Sequence, residues 1–163
     1  MTMRGTPQLY AGDEVNMVGG EDPDNRRDFP GGFPGDAHNA FTASGRTPAE
    51  NDMHDWVAAL GKLRASSAAL QDGVMQTVLA DETGFGFVRT LNAKSKACAA
   101  GAEGMLVLTN RGAAREMTIP VSGTGLEGCQ SMTGELGDTG EKAIGTEVKV
   151  EVPANGFAVY ELR

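Results

Sequence analysis

In TEVKVEV, Val148, Val150 and Val152 fall on one side of an extended chain and Glu147, Lys149 and Glu151 on the other. Successive side chains of a strand point to opposite faces, so this run reads as a half-buried antiparallel strand. From about Val74 onward other short runs of β-forming residues alternate with turn residues: VMQTVLA, GFVRTL, GMLVLTN, EMTIPV and GFAVYEL. Asn155–Gly156 supplies the positive φ angles of a tight hairpin turn. No long helical segment separates these runs, which predicts an antiparallel β-sandwich over 74–163 rather than a parallel sheet.

Residues 1–46 differ in character. They are mostly loop, with one short apolar run, PQLYAG, that reads as a strand. A helix then begins at Thr47: Pro48 suits the first helical position and Glu50 completes a capping box. Met53, Trp56, Val57, Leu60 and Leu63 recur at spacings of three and four, and Lys62 and Arg64 suit the negative end of the helix. Such a stripe must be buried against something.

Composition removes several function classes. The 163 residues carry a formal net charge of −8 and no basic face, which argues against a nucleic-acid partner. No apolar run is long enough to span a membrane, and MTMRGTPQLY lacks the apolar centre of a signal peptide, so a soluble chain without an export signal is expected, with the cytoplasm slightly favoured. Cys98 and Cys129 are the only cysteines; a single bridge is open, but two free, partly buried thiols are the expectation.

The motifs that could carry chemistry are weak taken singly. A calcium loop starting at Asp22 fails because Arg26, Arg27 and Phe33 stand where ligands and the turn glycine belong. Gly123, Gly125 and Gly128 match G-x-G-x-x-G, yet no convincing helix follows to receive a phosphate. His38 and His54 lack ligand-type neighbours, and Ser44, Ser66 and Ser67 have no base near them in sequence. No metal or cofactor is therefore expected. What stands out is GGEDPDNRRDFPGGFPGD, residues 19–36, where acids and arginines crowd a loop. They read either as a self-neutralising network that shapes the loop, or as a carboxylate and an Arg fork aimed at sugar hydroxyls.

The longer string RGTPQLYAGDEVNMVGGEDPDNRRDFPGGF resembles the end of the catalytic barrel in the α-amylase superfamily of glycoside hydrolases, most closely the neopullulanase and cyclomaltodextrinase type. TPAENDMHDWVAALGKLRASSAALQDG is similar to the last barrel helix of that family. GFVRTLNA, GMLVLTNRG and PANGFAVYELR are similar to strands of its C-terminal β domain, whereas 93–103 and 122–146 resemble it least. The resemblance implies a remnant of a (β/α)8 barrel over 1–73 and a C-terminal antiparallel sandwich over 74–163, mainly β with one long helix.

It also implies a retaining α-1,4-glucan or cyclodextrin hydrolase as the parent. The catalytic carboxylates of that family lie on earlier barrel strands, so this chain is expected to be an inactive C-terminal fragment, or else a stand-alone carbohydrate-binding or interaction module. Asp13 and Glu14 are not a catalytic pair, because neighbours on a strand face opposite ways. Asp22 and Arg26 match the family's loop acid and arginine near the substrate, so they are the candidate binding residues for an α-glucan or maltooligosaccharide. Exposed Trp or Tyr for stacking on sugars are not evident: Trp56 lies on the helix stripe, and Tyr10 and Tyr160 are embedded in strand patterns. One strand and one helix cannot close a barrel. The helix is therefore expected to pack on the sandwich, and residues 1–45 to be loosely ordered or to pair with a second copy of the chain.

Overall fold

The computed structural model describes residues 1–91, 98 and 103–163. They form two compact units: one of Met1–Gly5 with Leu63–Arg163, the other of Thr6–Lys62.

The first unit is the antiparallel sandwich that the strand periodicity predicts. Its strands are β1 (Val74–Ala80), β2 (Gly84–Thr90), β3 (Gly104–Asn110), β4 (Arg115–Pro120), β5 (Ser131–Leu136), β6 (Glu141–Ala143), β7 (Glu147–Val152) and β8 (Phe157–Leu162). Six of them form a sheet in the order β1-β2-β3-β8-β5-β6, and β4 pairs with β7 as a second layer. Val148, Val150 and Val152 point into the space between the layers, where they meet Val88, Leu106, Leu108, Met117, Ile119 and Tyr160. The charged side of that strand stays outside. Two strands, β5 and β6, lie in the segment where the sequence signal is poorest. β5 carries Gly134 in mid-strand, and its register with β8 shifts between Gly134 and Leu136, so a period of two is not visible there.

The turn at Asn155 departs from expectation. Asn155 has a positive φ of 48°, but the strands on either side, β7 and β8, belong to different sheets. It is a crossing between layers, not a hairpin.

The outer face of the six-stranded sheet is also covered. A short helix, α2 (Ala68–Asp72), places Ala69 and Leu70 against Phe87, Met105, Val107 and Val159, together with Leu63. Consecutive residues of β3, Met105 to Leu108, are therefore all buried on alternating sides. The long helix, α1 (Pro48–Ser66), contributes Leu63 to this cluster. Met53, Trp56, Val57 and Leu60 of its stripe are half-buried. Its start follows the sequence closely. Thr47 donates its N–H to Glu50 Oε2 at 2.7 Å, and Glu50 donates its N–H to Thr47 Oγ1 at 3.3 Å.

Residues 1–5 are not loose. Arg64 donates to the carbonyls of Met1 (2.7 Å) and Gly5 (2.8 Å), and Arg89 to those of Thr2 (2.7 Å) and Gly73 (2.8 Å). Arg89 is 1% exposed. Burial, and then the charge of Arg64, lowers its pKa from the usual value. PQLYAG, by contrast, forms no strand. Tyr10 turns into Asp13 instead, with its N–H on Asp13 Oδ2 and its carbonyl accepting from the Asp13 N–H. A lone strand has no neighbour to receive its backbone groups, which is why the apolar pattern alone misleads here. The expectation of free thiols is also corrected: Cys98 and Cys129 are joined in a disulfide.

One ion network inside this unit has a consequence for acid stability. Asp138 accepts hydrogen bonds from the Gly140 N–H (2.9 Å) and the buried Tyr160 hydroxyl (2.7 Å), and pairs with Lys142 at 3.1 Å. These partners hold its carboxyl down at about 2, while burial, and then the bond to Asp138, push the Tyr160 hydroxyl up. A depressed folded pKa stabilises the native state above the ordinary carboxyl range and loses that contribution as pH falls through the folded value. Urea melts of the wild type and Asp138→Asn should therefore differ by about 1 kcal/mol near neutrality, after discount for solvent screening, and converge between roughly pH 4 and pH 2.

Candidate functional site

The charged loop begins on Gly19 and Gly20 and turns through a short 3-10 segment, Asp24–Arg26. Asp24 organises it. Its Oδ2 accepts the Gly20 N–H at 2.8 Å, and both its oxygens take the Arg27 guanidinium, Nε to Oδ1 at 2.6 Å and Nη2 to Oδ2 at 2.7 Å. The bidentate fork lowers the Asp24 pKa and raises that of Arg27. This half of the cluster is the self-neutralising network.

The other half is the pair singled out from sequence. Arg26 Nε meets Asp22 Oδ1 at 2.8 Å, with the side chains 72% and 62% exposed respectively. A spacing of four residues across a tight turn brings them together, and neither is drawn into the Asp24–Arg27 fork. The structure thus joins Asp22 to Arg26 and leaves the pair facing solvent. An ion pair this exposed contributes little to stability.

Further residues gather here that sequence spacing did not reveal. His38 Nε2 lies 2.9 Å from Glu50 Oε1, while Glu50 Oε2 holds the Thr47 N–H. That backbone bond, and then His38, keep the Glu50 pKa below the usual carboxylate value. His38 and Glu50 are twelve residues apart, across a loop whose path no local pattern encodes. The available signal was the capping box itself, which fixes Glu50 at the head of α1. His54 makes a 3.3 Å contact with Asp55. Asp13 and Glu14 sit on a 3-10 turn, where Asp13 accepts the Tyr10 N–H and Glu14 the Gly12 N–H at 2.9 Å each. Both carboxylates serve as turn caps.

The remaining motifs resolve in the same direction. Gly123, Gly125 and Gly128 all have positive φ, and Glu127 accepts the N–H groups of Gly123 and Gly125 at 2.5 and 3.0 Å. The chain's own carboxylate fills the seat that an anion would take. Among the described residues, no group of three or more His, Cys, Asp or Glu side chains is placed to hold a metal ion. No helix among them is long and apolar enough to cross a membrane.

No protein-family model matches the chain. The amylopullulanase of Thermoanaerobacter thermohydrosulfuricus is 27% identical over 117 residues, which are 71% of this chain and 7% of that protein. The α-amylase of Geobacillus thermoleovorans, crystallised with acarbose, superposes over 99% of this chain and 31% of its own with a TM-score of 0.67 and 22% identity. The debranching enzyme of Nostoc punctiforme gives 0.65 at 24% identity over 98% of this chain and 28% of its own. The cyclomaltodextrin glucanotransferase CldA gives 0.66 at 21% identity over 99% and 30%. These neighbours are α-amylase family enzymes, and the antiparallel sandwich here has the fold of their C-terminal β domain. The chain spans less than a third of each of those structures and a small part of the curated relative.

The division of labour in the loop can be checked directly. Replacing Asp24 by Ala should free the Gly20 N–H and the Arg27 guanidinium while leaving Asp22 and Arg26 paired. Amide hydrogen exchange at Gly20 should accelerate severalfold, with the Asp22 and Arg26 amides little changed.

Proposed function

We propose that these 163 residues are the C-terminal part of a longer α-glucan or cyclodextrin hydrolase of the α-amylase type, cleaving α-1,4 linkages with retention. In this reading residues 1–73 belong to the end of the catalytic barrel and 74–163 to the C-terminal domain. The observation that carries it is the Asp22–Arg26 pair, formed on the loop whose sequence resembles the substrate rim of that family, in a chain whose fold is shared along nearly its whole length with such enzymes.

The pair suits the role chemically. Arg26 keeps two nitrogens of its fork beyond the 2.8 Å contact to Asp22, and the carboxylate keeps acceptor capacity. Both ends are accessible, so a glucose unit could accept from one and donate to the other. Hydrolysis itself needs two facing carboxyl groups across the scissile bond. Asp24 is committed to Arg27 and Asp22 to Arg26, and in the family that the loop resembles the catalytic carboxylates lie on earlier barrel strands, so in this reading they come from the rest of the parent. The isolated chain is then a non-catalytic piece.

Leu9, Tyr10, Val18, Phe33 and Phe41 are exposed, which favours self-association of the isolated chain through its N-terminal segment. The Cys98–Cys129 bridge favours an oxidising compartment over the cytoplasm.

The decisive assay is sugar release. The chain alone should liberate no maltose or glucose from starch or cyclodextrin, and measurable turnover would contradict the reading. In a longer enzyme that contains this segment, Asp22→Ala or Arg26→Ala should raise KM about tenfold with kcat little changed, the signature of lost substrate binding.

A further inference from the structure

Within Thr6–Lys62 lies an open hollow of about 540 Å³ whose walls include Asn16, Val18, Arg27, Asp28, His38 and Glu50. Neither Asp22 nor Arg26 lines it. Its size falls within the range of small-ligand sites. We propose that this hollow is a second binding subsite, taking one neutral sugar unit.

Some polar groups of the lining are held by partners and others are left over. Arg27 is fixed by Asp24 through Nε and Nη2, leaving Nη1 as a donor. His38 is fixed by Glu50, which is itself tied to the Thr47 N–H. With Nε2 engaged by the carboxylate, Nδ1 is the ring's remaining polar atom. Both side chains are therefore oriented by partners behind them, so less rotamer freedom is lost when a ligand arrives. The Asp28 carboxylate has no hydrogen-bond or ion-pair partner among the described residues, and neither has the Asn16 side-chain amide.

Together these groups offer donors and acceptors in near balance. Asp28, Asp36 and Glu50 outnumber Arg27, which disfavours an anion such as a phosphate. Arg27 in turn opposes a cation. A hydroxyl both donates and accepts, so a polyhydroxylated neutral molecule matches the mixed set better than either ion. Val18, which is 71% exposed, and Pro30 supply an apolar wall for the C–H face of a sugar ring. The choice of an α-glucan unit over another polyol rests on the function proposed above; the hollow and its lining do not.

Maltotriose titrated into the isotopically labelled chain, followed by two-dimensional amide NMR, tests the proposal. Residues 16–18, 27–28 and 36–38 should shift together along one curve with a millimolar Kd. Asp28→Asn and His38→Ala should each weaken binding about tenfold. Asn16→Gly removes the amide at a backbone position, φ 54°, that glycine accepts without strain, and should weaken binding severalfold while leaving the spectrum well dispersed. The double change Asp22→Ala and Arg26→Ala should leave the Kd of this hollow unaltered. If maltotriose shifts only residues 21–26, and that double change abolishes the effect, the Asp22–Arg26 reading stands and the second subsite is overturned. An absence of shifts at 16–18, 27–28 and 36–38 with tens of millimolar maltotriose also overturns it.

Discussion

Everything stable in this chain depends on covering both faces of one sheet. β2, β3 and β8 are central in the six-stranded sheet, with the β4–β7 layer on one side and α2 with Leu63 on the other. A strand buried on both sides must be apolar at consecutive positions, as Met105, Leu106, Val107 and Leu108 are. Apolar area buried at about 25 cal/mol per Å² is the main favourable term available, and most of the fully buried side chains belong to this unit. Arg89 is the exception that the arrangement tolerates. Its buried guanidinium is met by the carbonyls of Thr2 and Gly73, which stand in for a carboxylate and tie the first residues to the sheet.

Thr6–Lys62 is built on a different principle. Val15 and Ala40 are its buried apolar side chains, and its shape comes from short-range polar contacts. Asp13, Glu14, Asp24 and Asp36 each accept a backbone N–H within four residues, and Glu50 closes the head of α1. Contacts of this kind shape turns at small net gain, since each replaces a bond to water. The acids and arginines of 19–36 are therefore partly architecture. What is left over after the turns are made, the Asp22–Arg26 pair and the groups around the hollow lined by Asn16, Asp28 and His38, is the surface available for recognition.

Much of this was legible in the sequence, for reasons that can be named. The alternation of Val148, Val150 and Val152, the capping box at Thr47 and Glu50, and the i, i+4 spacing of Asp22 and Arg26 are local signals, and the structure keeps each of them. Non-local facts were not legible. PQLYAG carries a strand pattern, yet a strand needs neighbours, and the chain provides Tyr10 only with a turn. β5 was hidden by Gly134 and its bulge. Asn155 announced a turn but not which sheets it joins. The pairing of Cys98 with Cys129, 31 residues apart, and of His38 with Glu50 requires the path of the chain between them.

The sandwich has its own apolar core, whereas Thr6–Lys62, a run of turns followed by most of α1, buries only the apolar side chains of Val15 and Ala40. Residue-resolved amide hydrogen exchange separates the two most directly. Amides of β2, β3 and β8 should exchange only through global unfolding, while those of 6–62 exchange orders of magnitude faster through local opening. Protection in 6–62 equal to that of β3, in a chain shown to be monomeric, would contradict the account.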